Sequence, residues 1–569
     1  MQKPNLAKMT LREKIGQLAL LDQRTAMSYW ENIEDKAAFF KEHPIGGLWV
    51  QAASNVGDMN TANGIREGFN EKDYALVYSN WIDNINQNLS IPLLTGCDAE
   101  CGCKWLFPEC TQTSTIAGLA ATDSPELAYE TGVCVASEAK VGGVNWIWGP
   151  PVDLANHDHG TSSAGRSFSI DNPDLNIRMA REVVAGYQSC KVAGTLKHFP
   201  SGGLTETRDS HVSSNVNTMS LEEWEKTQGR IYQELIDAGV WSIMTTHASF
   251  PAVDNRTMEI GGYIPSTLSD KIIIDLLKKK MGFDGVVITD GIGMKSLVMS
   301  YTIDRLYVEI IKAGNDIILG VRDLDVYFNA VEEAVKNGEI PMERIDDACR
   351  RILDLKEKVG VFEDNKEKYT EVPKEFLNRT RELNKKVSEK SLVKVCDKNN
   401  QIPLSEDNIK KVVAVYLGHS DDTYETLNNV LSKAFEKHGA SFKLQRYLDE
   451  ETMHDEIESG EQIAKENDLI LYLADLPNGS CNEFTGEVWR TAVFTLIHGA
   501  EKSIVMALRS PFVYYKYFTF AKTVLCTFGV SDEVLETAVD ALYGDVNFDG
   551  KCPVELFPEF AREEQKTYL

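Results

Sequence analysis

The chain has 569 residues, more than one hydrophobic core usually serves, so two domains are expected. Its 59 Lys and Arg against 86 Asp and Glu leave a formal net charge of −27 at pH 7. Such a surface repels phosphate backbones and anionic lipid, which excludes nucleic acid and membranes as expected partners. Hydrophobic residues make up 43% and charged residues 25%, an ordinary globular composition, and no segment approaches the about 20 apolar residues of a membrane span.

Met1-Gln2-Lys3-Pro4-Asn5 has no apolar core of a leader peptide, and the expected location is cytoplasmic. Eleven Cys, an odd number mostly set singly in apolar segments, agree with a reducing compartment. Cys97, Cys101, Cys103 and Cys110 are clustered, but without the paired spacing of a metal site, and His157 with His159 falls short of a ligand set. Neither a metal nor another cofactor is expected.

Thr10-Leu11-Arg12-Glu13 reads as a capping box opening a helix through Ile15, Leu18 and Leu21. Short apolar runs then alternate with helical stretches. The runs lie at residues 47–50, 91–95, 144–148, 193–196, 240–244, 285–289 and 316–319, with one further strand expected but unlocated near the N-terminus. Ser124 before Pro125 starts one helix as N-cap and first turn, and 221–236 and 268–277 have helical period. This alternation predicts a parallel sheet closed as a (β/α)8-type TIM barrel over residues 1–357. Residues 358–392 are charged and helical and read as a linker. Apolar runs at 412–416, 469–473, 504–508 and 524–528 predict a three-layer α/β sandwich domain over 393–569.

In such a barrel the chemistry sits beyond the C-terminal ends of the strands. Polar residues recur there: Asp98 and Glu100, Asp153, Lys197 and His198, His247, and Asp290. Asp290, directly after 285–289, is placed as a nucleophilic carboxylate would be, though a helix N-cap explains it equally well from the local pattern. In Asp209-Ser210-His211 the carboxylate can fix the imidazole tautomer and leave the other ring nitrogen to move a proton; a surface turn gives the same pattern. Lys197-His198 would need a sharp turn or distorted peptide to present both side chains to one pocket. Arg166, in Gly165-Arg166-Ser167-Phe168, is a further donor or a surface ion-pair partner.

Together, Lys197-His198-Phe199-Pro200, Asp209-Ser210-His211, Gly165-Arg166-Ser167-Phe168, the segment 244–254 and the segment 282–290 resemble glycoside hydrolase family 3, in particular its β-N-acetylhexosaminidase branch. The resemblance implies Asp290 as nucleophile and the His211/Asp209 dyad as acid/base. It implies Asp98, Arg166, Lys197, His198 and His247 as residues that bind the sugar. The implied reaction is release of terminal non-reducing GlcNAc by double displacement with retention. The implied partner is a GlcNAc-containing carbohydrate, and the protein is expected as a monomer or homodimer. Alternatives are a β-glucosidase or β-xylosidase with Glu483 or Glu487 as acid, a GlcNAc phosphorylase, and a carbohydrate-binding protein without catalysis. Two departures stand out. The family's Gly-His-Gly after the proline is Ser201-Gly202-Gly203 here, and its Asp-x-Glu-Gly-Gly-Arg is Asp98-Ala99-Glu100-Cys101-Gly102-Cys103.

Overall fold

The Thr10 hydroxyl accepts the Glu13 N–H at 3.2 Å while the Glu13 carboxylate accepts the Thr10 N–H at 2.8 Å, so the predicted capping box forms. The helix it opens, Leu11–Gln17, is shorter than its apolar period suggested. Ala19–Asp22 is instead a strand, β1, and it is the barrel strand that the sequence left unlocated. A continuous run such as Leu18-Ala19-Leu20-Leu21 is buried on every side, and such a run fits helix and strand alike. The computed structural model describes residues 2–51, 73–155, 166–202, 208, 211, 213–298, 301–363, 368–446, 456–476, 486, 488, 489, 499–557 and 561–568.

The chain forms two compact units. The first comprises Met1–Gln112, Ala128–Ala155 and Asn176–Thr380; the second comprises Thr113–Leu127, Asn156–Leu175 and Arg381–Leu569. The helix Lys374–Ser391, read from the sequence as part of a linker, runs across this division.

In the first unit β1 is followed by β2 (Gly47–Trp49), β3 (Leu94–Cys97), β4 (Trp146–Ile147), β5 (Ala193–Phe199), β6 (Ser242–Thr245), β7 (Val286–Thr289) and β8 (Ile318–Val321). Their order in the sheet is β7-β6-β5-β4-β3-β2-β1-β8, and every pairing is parallel. A parallel bridge between Ile288 and Ile317, with Thr289 N–H donating to the Ile317 carbonyl at 3.1 Å, joins the two end strands and brings the sheet round as a barrel. Trp146, Trp148, Leu196, Ile243 and Ile288 are fully buried. Gly96 is required by that filling, because a Cβ there would lie 2.3 Å from Cζ2 of Trp148.

The second unit holds a sheet of β9 (Val393–Asp397), β10 (Lys411–Leu417), β11 (Ser441–Arg446), β12 (Leu469–Ala474), β13 (Ser503–Ala507) and β14 (Thr523–Cys526), in the order β11-β10-β12-β13-β14-β9. All pairings are parallel except the edge pair β14–β9. Val412, Ala414, Leu471 and Met506 share a core with Leu427, Leu431, Leu535 and Val539 of two helices. The alternate residues Val413, Val415, Ile470 and Val505 are also buried, so both faces are covered and the unit is an α/β sandwich. The edge strands β9 and β11 were not read from the sequence. β11, Ser-Phe-Lys-Leu-Gln-Arg, carries the mixed polarity of a half-covered edge rather than an apolar run.

Lys356, on the helix Met342–Lys358, is fully buried and donates to Gln17 Oε1 at 2.6 Å. Burial pushes its pKa down to about 7, only partly offset by the Cys349 thiol. The unfolded lysine holds its proton up to its ordinary pKa, so between about pH 7 and 10.5 the unfolded state binds more protons and folding is favoured as pH rises. Lys356→Met removes this dependence. Its urea midpoint is expected to exceed that of the wild type most at pH 6 to 7, with the gap closing toward pH 9 to 10 by up to about 1.4 kcal/mol per pH unit. A gap independent of pH would show that the ammonium carries no burial penalty.

Candidate active site

Lys197 lies in β5 with its side chain 1% exposed. Its ammonium is held by Asp98 Oδ1 at 2.8 Å and Glu100 Oε1 at 2.6 Å, both from the segment after β3. A buried ammonium requires such partners, because an uncompensated charge there costs several kcal/mol. Glu100 was noticed in the sequence as a strand-end acid but given no part in the site. Its separation from Lys197 in the chain hid the pairing.

The next residue, His198, faces Asp153, which is buried at 1% exposure. Asp153 accepts the His198 backbone N–H at 3.1 Å and takes the ring Nδ1 at 2.8 Å. An ionised carboxylate only accepts, which assigns the proton to Nδ1 and leaves Nε2 as the second ring position. The Lys197–His198 peptide is cis, as is Phe199–Pro200. Phe199 packs edge-on against Trp224 and Tyr232, and Trp224 Nε1 donates to the Pro200 carbonyl at 2.8 Å. These contacts fix the root of the loop.

Ser201 adopts a φ of +94° and is 2% exposed. This conformation favours glycine, the residue that the family pattern places here. The position of the first departure is therefore a backbone under strain, of order 1–3 kcal/mol. At Gly202 an added Cβ would meet nothing within 4 Å, so packing does not explain the absence of the family's histidine.

Asp290 follows β7 directly. Its N–H donates to the Thr245 carbonyl of β6 at 3.0 Å, and its Oδ1 accepts the Gly291 N–H at 2.7 Å. Among the described residues no group is shown on its second oxygen, and the helix N-cap reading is not what the structure shows. Burial alone would raise its pKa. The facing imidazoles of His198 and His247, the Gly291 N–H and Lys197 outweigh burial and bring it below the ordinary carboxylate value. The group is an ionised carboxylate at neutral pH.

His247, after β6, is 1% exposed, and both ring nitrogens face protein atoms: Nδ1 lies 2.8 Å from Thr267 Oγ1 and Nε2 lies 3.1 Å from the Gly291 carbonyl. Burial lowers its pKa against the opposing pull of Asp290, so the ring is neutral. His211 is an exposed turn residue whose carbonyl accepts the Lys295 N–H at 3.2 Å. Asp209 lies outside the described residues, as do Glu483, Glu487, His157 and His159. Arg166 is a half-buried turn residue of the second unit. The first unit thus brings Asp98, Lys197, His198, His247 and Asp290 onto the C-terminal ends of its strands, with Glu100, Asp153 and Thr267 as partners.

Residues 10–355 match the glycosyl hydrolase family 3 N terminal domain. The chain belongs to glycoside hydrolase family 3. It is a glycoside hydrolase, and its substrates are carbohydrates. A β-N-acetylglucosaminidase/β-glucosidase of Cellulomonas fimi is 26% identical over 506 residues, covering 84% of this chain and 86% of that one. A β-hexosaminidase of Bordetella avium is 31% identical over 196 residues, 34% of this chain and 52% of the relative, so that match spans about half of its length. Among solved structures, the family 3 β-N-acetylglucosaminidase from Paenibacillus sp. str. FPU-7 superposes with a TM-score of 0.80 at 23% identity, covering 97% of this chain and 99% of that one. The β-glucoside phosphorylase BglX superposes with a TM-score of 0.78 at 23% identity, covering 97% and 94%. These likenesses show the fold of a barrel followed by a sandwich.

Two substitutions test this geometry. Asp153→Ala leaves the His198 backbone and ring N–H groups without their acceptor, and kcat/KM should fall about ten- to a hundredfold, with a lower Tm. An unchanged kcat/KM would show that the orientation of His198 is immaterial. Ser201→Gly relieves the positive-φ strain and should raise Tm by about 1 °C, on the order of 1 kcal/mol, with activity retained.

Proposed function

We propose that the protein is a retaining exo-β-N-acetylglucosaminidase that releases terminal GlcNAc by double displacement. The observation carrying this reading is Asp290: an ionised carboxylate on a strand end, with one oxygen tied to the Gly291 N–H and no group shown on the other among the described residues. Attack on an anomeric carbon needs such a group. His211 protonates the leaving oxygen as Asp290 attacks, with Asp209 fixing its ring, and then takes the proton of the water that releases the sugar. Asp98, Lys197 and His198 hold the sugar. Support for the sugar comes from the Cellulomonas and Bordetella relatives, whose names include β-N-acetylglucosaminidase and β-hexosaminidase. We place the reaction in the cytoplasm, in keeping with described cysteines that form no disulfide.

A second reading, phosphorolysis, is favoured by the phosphorylase likeness and by the chemistry of a histidine base. After giving up its proton, His211 is neutral and does not repel an anionic acceptor as a glutamate would.

The decisive experiment is product analysis with chromogenic β-glycosides of GlcNAc and glucose, with and without inorganic phosphate. The GlcNAc glycoside should be cleaved faster, free GlcNAc should be released, and Asp290→Asn should lower kcat by about a thousandfold or more. His211→Ala should lose far more rate with a poor leaving group than with a good one. Cleavage of the glucoside alone would overturn the sugar assignment, and formation of GlcNAc 1-phosphate would replace water by phosphate.

A further inference from the structure

The segment carrying the nucleophile is pinned on either side of Gly291. The Asp290 N–H donates to Thr245 of β6 at 3.0 Å and the Ile292 N–H donates to Leu319 of β8 at 3.1 Å. Gly291 itself has no side chain to anchor, and a Cβ there would meet nothing within 4 Å. Its carbonyl oxygen accepts the Met294 N–H at 3.2 Å and lies 3.1 Å from His247 Nε2, the side chain that holds it. A carbonyl only accepts, so Nε2 carries the proton and Nδ1 of the neutral ring is the acceptor. The atom facing Nδ1 is the hydroxyl of Thr267, fully buried at 2.8 Å. A hydroxyl has one proton; the Thr246 carbonyl accepts from it at 2.9 Å, and Nδ1 of the neutral ring is the competing acceptor at 2.8 Å. Thr267 is itself held, since Asn315 Nδ2 donates to its carbonyl at 2.9 Å.

We propose that Thr267 is a positioning residue for the glycosidic reaction: it sets the tautomer of His247, and His247, rather than binding sugar, clamps Gly291 and so fixes the carboxylate of Asp290. Both ring nitrogens of His247 are engaged by protein atoms, which leaves none for a sugar hydroxyl. The chain of contacts runs Thr267 Oγ1, His247 Nδ1, His247 Nε2, Gly291 O. The Gly291 N–H then completes it on Asp290 Oδ1 at 2.7 Å. It links residues twenty and forty-four positions apart, a connection invisible to any local motif. The inference rests on Asp290 being the nucleophile, but on no particular sugar.

The test is steady-state kinetics of single and double variants on whichever glycoside the wild type cleaves. Thr267→Val, nearly the same shape without the proton, should lower kcat about ten- to a hundredfold at nearly unchanged KM, and Thr267→Ser should restore most of it. His247→Gln, whose amide N–H reaches toward the Gly291 carbonyl, should keep kcat well above His247→Leu. The Thr267→Val/His247→Leu double variant should be no slower than His247→Leu, because both act through one chain of contacts. A rise in KM with kcat intact, additive losses, or equal rates for Gln and Leu at position 247 would each overturn the proposal. Should Thr267→Val not fold, the comparison of Gln with Leu decides alone. A 5-fluoro glycosyl fluoride that traps the glycosyl-enzyme, followed by peptide mass spectrometry, tests the nucleophile separately. Label on a residue other than Asp290 removes the catalytic reading itself, whatever the Thr267 variants show.

Discussion

A carboxylate kept ionised in a barrel mouth is the constraint around which this site is arranged. Burial works against the charge on Asp290, and the fold answers with groups from other strands: His198 and Lys197 from β5, His247 after β6, and the Gly291 N–H. None of these is close in sequence except Gly291. Only a closed parallel sheet sets so many strand ends around one point without long side chains having to reach. The electrostatics therefore depend on register. A slip of β5 by one residue would turn Lys197 and His198 away from their partners in the segments after β3 and β4.

The cations that support Asp290 carry their own cost, and the structure meets it one step further out. Lys197 is almost completely buried and is held by two carboxylates, Asp98 and Glu100. His198 is held by Asp153, itself buried. Lys197 thus meets two carboxylates that follow β3 and His198 meets one that follows β4, and the set gives geometry rather than stability, since buried ion pairs seldom exceed their desolvation cost. Removing one partner would strand the other. This explains why Glu100 and Asp153 belong to the site although neither was given a role from its own sequence context.

Much of this was legible in the chain. Alternating apolar runs and helical stretches announced the barrel and the sandwich, and the polar residues at strand ends marked the face where the site lies. The misses have physical causes. β1 was taken for helix because an apolar run buried on all sides has no period to separate the two. The edge strands β9 and β11 lack the apolar run that marked their neighbours. The placement of His247 at the site was legible, whereas the engagement of its ring was not, because Thr267 and Gly291 come from distant segments. Asp209, expected from the resemblance as the partner of His211, lies outside the described residues.

The two departures from the family pattern differ in kind once the backbone is known. Ser201 occupies a conformation that favours glycine, so the substitution raises the energy of the loop root, where the Ser201 N–H donates to the His198 carbonyl at 2.6 Å and the Ser201 carbonyl accepts from Asn217 at 3.3 Å. The replacement after Glu100 falls in a turn closed by a bridge between Gly102 and Gln112, with Trp105 at 40% exposure. That turn follows the strand that presents Asp98, while Asp98 and Glu100 retain their contacts to Lys197. The chain has therefore kept the two carboxylates that hold Lys197, while Cys103 stands where the family pattern has its arginine. In a barrel this is the expected division, since strand ends are fixed by the ladder and loops are not. Asp290 and the groups around it lie on strand ends, whereas His211 lies in a turn, in a part of the barrel that the ladder does not fix.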